Sequence, residues 1–176
     1  MIDKNQKKAI EMATEIINTF EKKYEEKWLE MMRKKLGLIG NHSIDKTLIL
    51  DLLTWMHQKK VDYTNTFCHL MKFKVQEEED FQDRVFKDWK KRWNKRLIIN
   101  NNSIEKSIAL MRTVNPLVIP RNDKVEETLD LANKNNFKML FEFLEILKTP
   151  YIEKKNTYKY QIPNENNKED KTFCGT

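Results

Sequence analysis

Glycine occurs only three times in 176 residues, at positions 37, 40 and 175. That scarcity excludes a glycine-rich phosphate loop, which needs several glycines within a few residues after a strand, so ATP has no evident cradle. Two cysteines, Cys68 and Cys174, are too few and too distant for a cysteine metal quartet or a disulfide-stapled secreted domain. The three histidines, His42, His57 and His69, lack the i, i+4 spacing that presents two metal ligands from one helix turn. Each reads as a surface or packed histidine. No apolar run escapes interruption by charge for the length of a membrane span, and residues 1–8 are polar where a signal core would stand. These absences predict a soluble protein of a reducing compartment, with no membrane partner.

What is present is charge and helical periodicity. Charged residues make up 34% of the chain and hydrophobic ones 39%, a balance that suits an all-α protein better than a turn-rich sandwich or barrel. The net charge of +6 invites a nucleic-acid reading, yet 27 acidic residues are interleaved with 33 basic ones, the pattern of solvated helix faces. Trp89-Lys90-Lys91-Arg92-Trp93-Asn94-Lys95-Arg96 does interleave aromatics with bases, as single-strand binders do. Tryptophans on an inward face would be unavailable for stacking, so the pattern argues against a nucleic-acid partner.

Along the chain, Ile10, Ala13, Ile17, Phe20, Tyr24, Trp28 and Met31 recur at helical spacing and predict a helix over about 3–35 whose apolar face needs a partner. Gly37 offers its left-handed stop. A second helix follows, capped by Ser43 or Asp45, then a short one capped by Asp62 and reaching about Phe73. The acidic run 77–80 suits the start of the next helix, where Phe81, Val85, Phe86, Trp89, Trp93 and Leu97 form a stripe. Arg96 falls inside that apolar arc and requires a carboxylate or carbonyls, either its own helix end or a partner across a domain boundary. Ser103 caps a helix that Pro116 ends, and 115–122 reads as an ordered apolar connector. Asn122 or Asp123 caps a helix with Val125, Leu129 and Ala132 inward. A last helix over 137–148 is expected to be largely buried, with Phe137, Leu140, Phe141, Leu144 and Leu147 as its stripe. Cys68 reads as a small buried hydrophobe, and Cys174 as an accessible thiol on a polar tail.

Five strings in order carry a resemblance: Lys35-Leu36-Gly37-Leu38, Asp62-Tyr63-Thr64-Asn65-Thr66-Phe67, Asn115-Pro116-Leu117-Val118-Ile119-Pro120-Arg121-Asn122, Pro150-Tyr151, and the terminal Thr172-Phe173-Cys174-Gly175-Thr176. Together they resemble the C-terminal end of the selenoprotein O family of pseudokinase-fold protein adenylyltransferases, whose animal members place selenocysteine third from the end. Asp123 and Cys68 depart from that pattern, standing where the family commonly has histidine and arginine.

The resemblance implies a kinase-like enzyme that binds ATP in a flipped orientation with Mg²⁺ or Mn²⁺ and transfers AMP to Ser, Thr or Tyr hydroxyls of proteins. Its nucleotide-binding, catalytic and metal-binding residues lie upstream and have no counterparts here. No catalytic, cofactor or metal residue is therefore assigned to this chain, which is expected to be inactive alone. The expected architecture is an all-α, irregular multi-helix C-terminal portion of a protein-kinase-like fold, with a helical region over 1–148 and an extended polar tail over 149–176. The expected role is to brace the kinase-like core, which is joined to it or encoded by a split gene, with protein substrates as partners of the full-length enzyme. Leu117, Val118, Ile119, Arg121, Asn122 and Arg96 are the docking candidates, and Cys174 is the redox candidate. In a bacterium such a protein belongs in the cytoplasm; in a eukaryote the mitochondrion is the other address. The alternative is an autonomous helical interaction module, with nucleic acid as one candidate partner.

Overall fold

The computed structural model describes residues 5–73, 75, 79–99 and 103–163. Among them are eight α-helices and one 3-10 turn, with no strand, which makes the fold an all-α, multi-helix one. In chain order they are α1 (Gln6–Lys35), α2 (Asp45–Lys59), α3 (Tyr63–Leu70), the turn Asp80–Gln82, α4 (Arg84–Leu97), α5 (Ile104–Val114), α6 (Asn122–Asn133), α7 (Lys138–Leu147) and α8 (Thr157–Gln161). No helix among the described residues is long and apolar enough to cross a membrane.

The centre is the aromatic stripe of α4 pressed against α2 and the end of α1. Phe86, Trp89, Trp93 and Leu97 are buried at the i, i+3, i+4 spacing that puts them on one face. Both indole N–H groups are satisfied there: Trp89 donates to the Leu48 carbonyl and Trp93 to the Leu36 carbonyl, each at 2.8 Å. The tryptophans are thus packing groups, unavailable to stack on bases. Val85 lies off the buried stripe, 60% exposed in the first turn, and α4 begins at Arg84 and not within the acidic run. Asp83 caps α4 instead, accepting from the Val85 and Phe86 amides and from the Trp55 indole. Glu77 and Glu78 lie outside the described residues.

Several expected details are corrected. Neither Ser43 nor Asp45 caps α2, whose N-cap Ile44 makes no side-chain bond; Asp45 is drawn inward by two arginines. α6 likewise has Arg121 as its N-cap and no side-chain cap from Asn122 or Asp123, and buries Thr128 while Leu129 is 48% exposed. α7 buries Met139, Phe143 and Ile146 and turns Phe141 and Leu144 outward, with Phe137 exposed just before it. It is apolar nearly all round, so periodicity alone could not choose its inner face. Residues 149–163 do not extend away: α8 folds back, stacking Tyr160 on Phe143 at 4.8 Å and passing the Tyr160 hydroxyl to Glu142. Residues 164–176, and with them Cys174, lie outside the described residues.

Candidate functional site

The helical spacing that predicted an apolar face on α1 does not lead that face into the core. Only Met32 of α1 is buried, with Trp28 and Leu29 packed partly against the core. Ile10, Ile17, Phe20, Tyr24 and Met31 all remain exposed. This stripe runs down to the end of α1, where the molecule's most elaborate polar junction begins.

Lys35 closes α1, and the chain turns through Gly37, whose φ of +66° is the left-handed stop. The Leu38 amide donates to the Arg33 carbonyl at 2.8 Å and the Gly37 amide to the Lys34 carbonyl at 3.1 Å, the paired bonds of a Schellman ending. A Cβ on Gly37 would lie 2.7 Å from the Ser107 carbonyl oxygen, so glycine also allows α5 to approach α1. Asn115, 1% exposed, staples the two helix ends: its amide donates to the Lys35 and Met111 carbonyls, and its Oδ1 accepts from Lys35 Nζ at 3.0 Å. The Lys35 ammonium lies 4.8 Å from the Phe67 ring centre and 5.3 Å from that of Tyr63. Burial pushes its pKa down and that of Tyr63 up. Among the described residues no carboxylate reaches Lys35.

Asp62 caps α3 by accepting from the Asn65 amide, and both its oxygens take the Arg121 guanidinium, at 2.8 and 2.9 Å. That bidentate fork ties α3 to the start of α6. The Leu117 amide donates to the Pro150 carbonyl at 2.7 Å, joining the connector to the turn after α7. Cys68, fully buried, sits beside the Pro116 carbonyl and the Gln161 amide. Four of the five strings singled out in the sequence therefore meet in one place. Lys35, Tyr63, Thr64, Phe67, Asn115, Pro116 and Ile119 line a recess of about 240 Å³ at the junction. A second recess, sharing Lys35 and including Met31 and Val114, connects it to the exposed stripe of α1.

The docking candidates divide accordingly. Leu117 and Val118 are buried in this chain's own core, and Arg96 is fully enclosed, so their surface and charge are already occupied within the chain. Arg121 holds Asp62, Ile119 lines the recess and Asn122 is exposed at the start of α6. Arg96 answers neither its own helix end nor a second domain. Its guanidinium bonds both Asp45 oxygens, at 2.6 and 3.2 Å, and the Ile39 and Gly40 carbonyls, while Arg33 takes Asp45 from the other side at 2.9 Å. Burial alone would raise the Asp45 carboxyl; hydrogen bonds from the two arginines and the His42 amide overturn that and hold it below the usual carboxylate range. The misplaced Arg96 was the sequence signal for this triad, but its partner was hidden as an ordinary helix-start aspartate. Among the described residues no group of three or more His, Cys, Asp or Glu side chains is placed to hold a metal ion.

The described residues thus define an all-α helical unit in which four of the ordered strings converge on one junction. The comparisons with known proteins give that unit a family. Residues 4–148 match the family model described as protein adenylyltransferase SelO, and the chain belongs to that family. It is 45% identical to the protein nucleotidyltransferase YdiU of Pelagibacter ubique and 43% identical to that of Alcanivorax borkumensis, in each case over all of this chain and 37% of the relative. The same protein of Clostridium beijerinckii is 36% identical, matched over 36% of its length. The chain thus spans little more than a third of the curated relatives it matches.

Proposed function

We propose that this chain is the C-terminal, non-catalytic portion of a SelO-type protein adenylyltransferase and that it braces the kinase-like core. In that enzyme the core supplies the ATP and Mg²⁺ or Mn²⁺ sites and transfers AMP to Ser, Thr or Tyr of protein substrates; the chain's helices hold the core in place. The observation that carries this reading is the exposed stripe of α1, Ile10, Ile17, Phe20 and Tyr24 among it, running into the Lys35 junction. A stripe of this kind on a helix end-anchored to a packed body is a surface awaiting a partner. The share of each relative that lies beyond the match is long enough to provide one. Cys174, on the terminal string, is the residue for redox control in this scheme.

Co-expression with the kinase-like polypeptide of a close relative tests the bracing role. A stoichiometric soluble complex is expected, and Ile17→Glu with Phe20→Glu is expected to abolish it. No complex, or one indifferent to both substitutions, overturns the reading. Incorporation of labelled adenylate by the purified chain alone would overturn its non-catalytic assignment.

A further inference from the structure

A groove beside α5 shares no lining residue with the recess at the Lys35 junction. Its main part, about 470 Å³, lies between the end of α3, α4 and α5. The floor is apolar: Leu70, Trp93, Ile98, Ile104 and Ile108. The rim is cationic. Lys72, Lys90 and Lys95 stand around this part, and a continuation that shares Lys72, Ile104 and Ile108 adds Arg112.

Six cations elsewhere in the molecule, Arg33, Arg92, Arg96, Arg121, Lys46 and Lys59, are committed to carboxylates across the fold. Among the described residues none of the four rim cations forms a salt bridge. Lys90 points at a neutral acceptor, His69 Nε2, at 3.2 Å. His69 is stacked on Phe81 at 3.9 Å, and burial, then Lys90, pushes its pKa down to about 4, so it stays an uncharged acceptor at neutral pH. Arg112 covers the Phe73 ring. The one carboxylate lining the groove, Glu105, is held by its own amide and Ser103 at the start of α5, and the Lys72 charge favours its ionised form more weakly.

We infer that this groove docks an acidic peptide segment of a partner protein, carrying one or two large apolar side chains between its carboxylates. Charge complementarity selects the sign of the occupant, and the apolar floor selects side chains over a bare anion. The distribution of the rim selects a peptide over a lipid. Its cations come from α4, α5 and the end of α3 and are spread along both parts of the groove, whereas an anionic amphiphile needs its charges gathered at one end. This inference stands apart from the bracing role, since it concerns different residues and a partner in trans.

The test uses the complete chain, or its complex with the kinase-like polypeptide, and a fluorescein-labelled peptide with glutamates on both sides of a Leu-Phe pair. Fluorescence polarisation is expected to show saturable binding that weakens with salt. Lys72→Ala and Lys95→Ala are each expected to weaken it by up to about five-fold, the scale of an exposed ion pair. Ile98→Ser, at a residue 57% exposed, should weaken it too while leaving the melting temperature unchanged. A peptide with serines in place of Leu-Phe should bind poorly. Equal binding of both peptides, indifference to the three substitutions, or preferential binding of phosphatidylserine vesicles or single-stranded DNA overturns the inference.

Discussion

Asp45 is the residue on which the body's polar interior turns: fully buried, it receives Arg96, Arg33 and the His42 amide, so three elements meet at one carboxylate. Such a cluster is costly to break from one side, because the surviving charge keeps its burial and loses its partner. Arg96→Met should therefore destabilise the chain by about 3 kcal/mol, with Arg33 retaining part of the pairing. Adding Asp45→Leu should recover some of that loss, since an apolar pair of similar volume leaves no buried charge behind. Denaturant unfolding of the single and double variants measures both. A double variant no better than the sum of its single changes would mean that the two side chains are energetically independent. The need for such a partner was legible in the sequence, because a charge inside an apolar arc must be answered. The answer was not, since pairing across 51 residues depends on how α2 and α4 pack.

At the scale of elements, the end of α1 depends on Gly37 for two reasons that add. Its φ of +66° is unfavourable for any residue with a Cβ, and that Cβ would stand 2.7 Å from a backbone oxygen of α5, which cannot swing aside as a side chain can. Gly37→Ala should cost about 3 kcal/mol, whereas Gly40→Ala, at φ +73° on an exposed loop, should cost about 1 kcal/mol. Thermal melts of the two variants separate conformational strain from crowding; equal losses would remove the close approach of α5 as a cause. Helix positions were largely readable because their periodicity and stops are local, as Gly37, Asp62 and Ser103 illustrate. Which face a helix buries is set by its neighbours. α7 has apolar residues on both faces, and Tyr160 packs against Phe143 on the face opposite the expected stripe. α8 escaped notice because five residues of mixed polarity carry no periodic signal.

For the whole molecule, the consequence is a body with a well-packed centre and apolar faces left outside it. The core gathers on α2, α3, α4 and α5 with the end of α1, while the rest of α1 and the start and outer face of α7 present Ile17, Phe20, Phe137 and Phe141 to solvent. Burial of the first two contributes little to this chain's own stability, since Ile17 is 69% and Phe20 67% exposed, so their replacement should leave folding intact. Their exposure should instead govern association, because water penalises apolar surface in proportion to its area until something covers it. The isolated chain is accordingly expected to self-associate at micromolar concentrations in sedimentation velocity. Ile17→Glu with Phe20→Glu should shift it toward monomer with an unchanged melting temperature. Phe141→Glu, on α7, separates the two surfaces: a comparable shift would place both in one association face, and no shift would assign association to α1. If the unaltered chain sediments as a monomer, the exposed stripe is not an adhesive surface in solution and the physical argument for a covering partner fails with it.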